Sequence, residues 1–150
     1  MTEKGRIEHL GVPLELRNYR PGRDYLAVRQ NLIEGEIYWE EWDSQEGIER
    51  RFRRSPDSIV VAAFGDRIVG SVFLSDELYP YIYRLAVRTD FRGRGIGEQL
   101  MDEAIRRLKL HGHKEAAIFV DENKEELKEW YKRRGFQEGG LYRSMWKEIE

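Results

Sequence analysis

Cysteine is missing from this 150-residue sequence, which rules out disulfides, thiolate nucleophiles and cysteine-ligated metal centres. Histidine occurs three times, scattered and without the spacing of a zinc site, so no metal is expected. No apolar run approaches the roughly 20 residues that a membrane span needs. The opening stretch MTEKGRIEHL lacks the apolar core of a secretory leader. A cytoplasmic protein that does not engage a membrane is the expectation. An excess of one charge is missing too: 26 Lys and Arg face 28 Asp and Glu, a formal net charge of −2. Nucleic-acid-binding domains are more often clearly basic. Nucleic acid is therefore not an expected partner, although Arg50, Arg51, Arg53 and Arg54 form a local basic run.

What is present suffices for a core. Hydrophobic residues make up 40% and charged residues 36% of the chain, consistent with one folded domain over 1–150. Residues 1–12 are polar and read as a loosely held tail. PLELRNY alternates Leu14 and Leu16 with Glu15 and Arg17, the period of a strand. DYLAVRQNLIEG puts Tyr25, Val28, Leu32 and Ile33 on one helical face, with Gly35 as its end. A short helix, EGIERRFRR, turns Ile48 and Phe52 inward and breaks at Ser55-Pro56-Asp57. SIVVAAF and RIVGSVFLS form a hairpin about Gly65-Asp66. YIYRLAVR is a further strand. Ile96, Leu100, Ala104 and Leu108 then recur every four residues in a helix with Gly112 past its end. EAAIFVD reads as a strand, KEELKEWYKRR as a helix closed by Gly135, and LYRSMWKEI as an edge strand. The sum is an α/β fold with a mixed, mostly antiparallel central sheet flanked by helices. An exposed edge in LYRSMWKEI would let a second copy pair into a homodimer.

The stretch that carries chemistry is Arg92-Gly93-Arg94-Gly95-Ile96-Gly97, at the mouth of the longest helix. A helix N-terminus exposes about four unpaired N–H groups and partial positive charge. Glycines let a ligand approach those groups closely, and a phosphate fits there. Arg92 and Arg94 supply extra donors. The spacing G-x-G-x-G is neither the dinucleotide fingerprint nor a P-loop.

It does satisfy Q/R-x-x-G-x-G/A, and so resembles the coenzyme-A-binding motif of the GCN5-related N-acetyltransferases, the GNAT family. The preceding RLAV is similar to that family's fourth strand, and EWYKRRGF to its second conserved region. The resemblance runs from about Leu14 to the C-terminus. It implies a GNAT-like fold with acetyl-CoA as co-substrate, held in a V-shaped gap beside a bulged fourth strand. By position, the main chain of Leu85, Ala86 and Val87 would bond the pantetheine arm and thioester, and Arg92 to Gly97 the pyrophosphate. Tyr131 resembles the general acid that protonates the departing thiolate. Asn123 stands one residue from a position that contacts pantetheine; helix capping explains it equally well.

The family's usual glutamate base on the fourth strand is absent; Tyr83 occupies the nearest position. Glu77 and the acidic Glu34–Asp43 stretch are other candidates. The family's acceptor wall corresponds to EGEIYWEEWD, where Tyr38, Trp39 and Glu41 would hold a cationic amine by charge and cation–π contact. The implied function is direct transfer of acetyl from acetyl-CoA to a primary amine, a small cationic amine or a peptide or protein amine. The alternative is a non-catalytic acyl-CoA-binding, sensing module that keeps the glycine loop.

Overall fold

A computed structural model describes residues 6–149. The chain separates into two compact units, Met1–Ile118 and Phe119–Glu150.

The first unit is built on a five-stranded antiparallel sheet in the order β1-β2-β3-β4-β5. The strands are β1 Glu8–His9, β2 Val12–Asn18, β3 Ile59–Phe64, β4 Arg67–Ser75 and β5 Tyr81–Val87. Helices α1 Tyr25–Glu34, α2 Glu40–Asp43 and α3 Gln45–Arg54 lie between β2 and β3, and α4 Ile96–Leu110 follows β5. Every residue of β3 is buried, because both sheet faces are covered. Ile59, Val61 and Ala63 join Val28, Leu32 and Ile48 in one cluster. The alternate Val60 and Ala62 point to the opposite face, where α4 contacts β3, β4 and β5.

The expected spacing of α4 holds: Ile96, Leu100, Ala104 and Leu108 are all buried. Leu100 and Ile96 seat on Gly70 of β4, where an added Cβ would stand 3.0 Å from Leu100 Cδ1 and 3.1 Å from the Ala86 carbonyl oxygen. The hairpin turns at Gly65, φ +60°, with Phe64 opposite Arg67.

Several expectations are corrected. Residues 6–12 are not a loose tail: β1 pairs with β2, and the His9 ring lies 5.5 Å from Phe64 and 5.0 Å from Phe91. Residues 1–5 lie outside the described residues. On α1, Ile33 is exposed and Asn31 takes the buried place, since its amide bonds inward (below). Gly35 ends α1 with φ −78°, so its merit is closeness: a Cβ there would meet the Asn31 carbonyl oxygen at 3.3 Å and Ala86 Cβ at 3.4 Å. EAAIFVD forms only an isolated parallel bridge, Ala117 to Tyr81.

The second unit contains α5 Glu125–Lys132, ended by Gly135 at φ +92°. LYRSMWKEI forms no ladder among the described residues. Alternation makes a strand only where a partner edge takes the backbone bonds, so the sheet edge on which a homodimer was expected is not formed there.

Candidate active site

The central feature is an irregularity in β5. Its ladder with β4 pairs Ser71 with Ala86 and Phe73 with Tyr83, leaving Arg84 and Leu85 opposite Val72 alone. Arg84 sits at φ +53°, a left-handed conformation that costs a non-glycine residue about 1–2 kcal/mol. A bulge of this kind bends the strand and increases its twist. On the outer edge, Ile82 N–H donates to Ala117 at 2.9 Å, and Ala117 N–H to Pro80 at 2.9 Å. Beyond Ile82 that edge has no ladder partner among the described residues of the first unit. The bulge leaves Leu85 without a partner across the ladder, while Ala86 pairs with Ser71 and its carbonyl faces Gly70 of β4.

β5 leads through a 3₁₀ turn, Thr89–Phe91, into the glycine loop. Gly93 and Gly95 have φ of +77° and +84°. A Cβ at Gly93 would meet nothing within 4 Å, and one at Gly95 only Ile7 Cδ1 at 3.7 Å. The demand for glycine there is thus conformational. Gly95 is the N-cap of α4 and offers no side chain to the first-turn amides. Those donors carry the helix's positive end. The loop is braced against α1. Arg92 donates to the Val87 and Glu34 carbonyls at 3.0 and 3.1 Å. Thr89 N–H donates to the Glu34 carboxylate at 3.0 Å, the chief cause holding that carboxyl below its ordinary range. Buried Asn31 donates to Ser71 Oγ at 3.2 Å and accepts from Arg88 at 3.0 Å. Arg94 lies 4.9 Å over the Phe91 ring and donates to the Asp90 carbonyl at 3.3 Å.

A pocket of about 310 Å³ opens beside β5. Its lining includes Trp42, Arg50, Arg51, Arg54 and Ser58, with Leu74, Asp76, Glu77, Tyr81, Tyr83 and Arg84. Fully buried Asp43 organises its wall, accepting from Arg84 Nε at 2.8 Å, Arg51 at 3.3 Å and Trp39 N–H at 2.9 Å. Tyr83 stacks on Tyr81, 4.8 Å between centroids. Burial pushes its phenol above the ordinary range, opposed by nearby Arg51.

In the second unit, the Tyr131 ring packs edge-on against Trp130 at 5.0 Å and Phe136 at 5.5 Å. Burial raises its phenol pKa, and Arg134 opposes the rise. The N-cap of α5 is Lys124. Asn123 precedes the cap, its N–H bonded to Asp121 at 2.9 Å, so it does not cap the helix.

Residues 28–144 match the family described as Acetyltransferase (GNAT) domain. The chain belongs to the GNAT acetyltransferase family. Among curated relatives, an acetyltransferase of Pectobacterium atrosepticum is 35% identical over 82 residues, 54% of this chain and 58% of that protein. This chain thus spans little more than half of that relative's length. The GNAT fold is shared with Ard1 of Thermoplasma volcanium, with TM-score 0.75, 22% identity and 85% and 84% of the two chains covered. It is shared too with the PaiA N-acetyltransferase of Thermoplasma acidophilum, solved in complex with coenzyme A, with TM-score 0.69, 19% identity and 83% and 89% covered.

Within this GNAT domain the structure joins Leu85–Val87 to Arg92–Gly97 on one continuous path, and puts Glu77 and Tyr83 in one pocket. Tyr38, Trp39 and Glu41 do not line that pocket. Tyr38 instead carries the Arg29 guanidinium 5.0 Å over its ring and donates to Glu40. Trp42 is the aromatic residue of that stretch that reaches the pocket. Sequence reading missed the pairing of Asp43 with Arg51 and Arg84, whose partners lie 8 and 41 residues away. Among the described residues no group of three or more His, Cys, Asp or Glu side chains is arranged to hold a metal ion, and no helix is long and apolar enough to cross a membrane.

Proposed function

We propose that this chain is an acetyl-CoA-dependent N-acetyltransferase that acetylates a primary amine by direct attack. The observation that carries the reading is the bulged outer edge of β5 running into the uncapped, glycine-started N-terminus of α4. One run of main chain thereby presents polar groups first for an extended amide arm and then for a pyrophosphate. The donor set fits such a group: first-turn amides without a side-chain cap, two left-handed glycines and flanking Arg92 and Arg94. Arg92 also ties the loop to α1, so it shapes the cradle as well as charging it.

Acetyl-CoA supplies the activated acetyl group as a thioester. The outward-facing main-chain groups along Leu85–Val87 bond the arm and steady negative charge on the thioester oxygen. The amine nitrogen forms its bond to the carbonyl carbon, the C–S bond breaks, and Tyr131 gives its proton to the departing sulfur. A phenol pushed above its ordinary value remains protonated at neutral pH and keeps that proton available. Asn123 is assigned to the pantetheine arm. Glu77 and Tyr83 are the assigned route for the amine's proton; Tyr83, with its raised phenol, relays rather than stores it. Tyr38, Trp39 and Glu41 are assigned to the ammonium end of the acceptor.

Acetyl-CoA titration by calorimetry, with wild type and Gly95→Glu compared, tests the cradle. Thiol release across an amine panel, with wild type and Tyr131→Phe compared, tests the chemistry. Binding lost in Gly95→Glu, with a fall in kcat of about 100-fold in Tyr131→Phe, is expected. Binding without thiol release from any amine would instead support the sensing module. No binding by folded wild type would overturn both.

A further inference from the structure

We propose that the pocket beside β5 is an oxyanion subsite, so that the acetylated amine carries a carboxylate or phosphate group near its nitrogen. The inference rests on the acetyltransferase reading and narrows its substrate class.

The charge distribution carries it. Four guanidiniums, from Arg50, Arg51, Arg54 and Arg84, line one pocket with two carboxylates, Asp76 and Glu77. Arg50 is paired with Glu46 at 3.0 Å and Arg54 with Glu77 at 2.8 Å. Asp76 is occupied by His111 at 3.0 Å and His113 at 2.9 Å. At the inner wall, Arg51 and Arg84 share the single carboxylate of Asp43, leaving one positive charge uncompensated. Arg84 spends only Nε on Asp43. Its Nη1 and Nη2 groups have no hydrogen-bond partner among the described residues, though its side chain is only 21% exposed. Buried Ser58 Oγ, also on the lining, has no partner either. Half-buried donors left over in this way suit a planar or tetrahedral oxyanion, which a guanidinium fork bonds through two N–H groups.

Backbone strain points the same way. Arg84 holds a left-handed conformation at the bulge where glycine or asparagine would be less strained. Backbone strain of this kind clusters at active sites and ligand clamps. Its neighbours Leu85–Val87 are the main chain assigned to the thioester, so an anion on Arg84 would place the acceptor within reach of the acetyl group. Trp42, Leu74 and the stacked Tyr81 and Tyr83 offer flat and apolar faces for the acceptor's carbon skeleton.

Matched acceptors test this: leucine against leucinamide for carboxylate, and O-phosphoethanolamine against ethanolamine for phosphate. Thiol release with acetyl-CoA is the readout. At least one anionic member should exceed its neutral partner by about 10-fold or more in kcat/KM. Arg84→Gln should erase that preference while the acetyl-CoA Kd stays within about twofold, and Arg84→Lys should restore part of it. Arg54→Gln, at an exposed position, should reduce the preference if Arg84→Gln fails to fold. Equal or better turnover of both neutral members would overturn the proposal and leave the acetyltransferase reading intact. If no amine is acetylated, NMR titration with inorganic phosphate and with acetate decides. Saturable shifts at Arg84 and Ser58, lost in Arg84→Gln, would sustain the subsite; no shifts would overturn it. Acetyl-CoA calorimetry reports separately whether the acetyltransferase reading has failed.

Discussion

Asp43 is the residue on which the pocket wall of the first unit turns. One buried carboxylate answers two guanidiniums and the Trp39 amide, tying α2, α3 and β5 together. Removing one partner of a buried charge group typically costs 3–5 kcal/mol, because the remaining charge loses its compensation. Here Arg51 and Arg84 are each about a fifth exposed, so water offsets part of that. Asp43→Ala should destabilise the protein by about 3 kcal/mol in urea unfolding. A loss below about 1 kcal/mol would mean that the two arginines find solvent instead. Composition and periodicity could not announce this role. Asp43 sits in an acidic stretch that looks like a solvated face, and Arg84 lies 41 residues on.

At the scale of elements, legibility followed local rules. The α4 stripe was readable because every fourth residue faces the same sheet. The β3–β4 hairpin was readable because Gly65 takes the positive φ that a tight turn demands. The glycine loop was readable from its spacing. EAAIFVD has the apolar run of a strand and LYRSMWKEI the alternation of an edge strand, but a ladder is a contract between two segments, and a sequence states only one side. The β5 bulge was legible only through resemblance, since nothing local marks Arg84 as left-handed. Gly70 was missed because its demand comes from α4, not from its own strand. Gly70→Val would press a side chain against Leu100 and the Ala86 carbonyl. Overpacking of this kind costs about 1–3 kcal/mol. Because α4 carries the proposed cradle, acetyl-CoA affinity in calorimetry should fall along with the melting temperature. A stability loss with unchanged affinity would separate α4 packing from the cradle.

Over the first unit as a whole, one imidazole fastens three distant chain segments. His111, just past α4, bonds Asp57 through Nε2 at 2.7 Å and Asp76 through Nδ1 at 3.0 Å. With both ring nitrogens against carboxylates, the doubly protonated form is favoured, and the His111 pKa rises above its ordinary value, chiefly through Asp57. The stabilisation is therefore complete below about pH 6.5, the unfolded-state value. It is lost as pH rises through the higher folded-state value. Asp76 is shifted down by His113 and His111, so its share is present above its ordinary value and lost as pH falls through the depressed one. His111→Asn should lower the melting temperature at pH 6 and have a much smaller effect at pH 9. An equal loss at both would show that packing, not charge, carries the fastening.

The left-handed conformation at Arg84 also shapes what a mutant library at that position would return. Saturation of codon 84 followed by sorting for thermal tolerance should enrich glycine and asparagine, which relieve the backbone. Sorting the same library for turnover of an anionic amine should retain arginine. The two pools would diverge at a single site, and their divergence would measure how far selection for chemistry has outweighed selection for durability at one peptide unit.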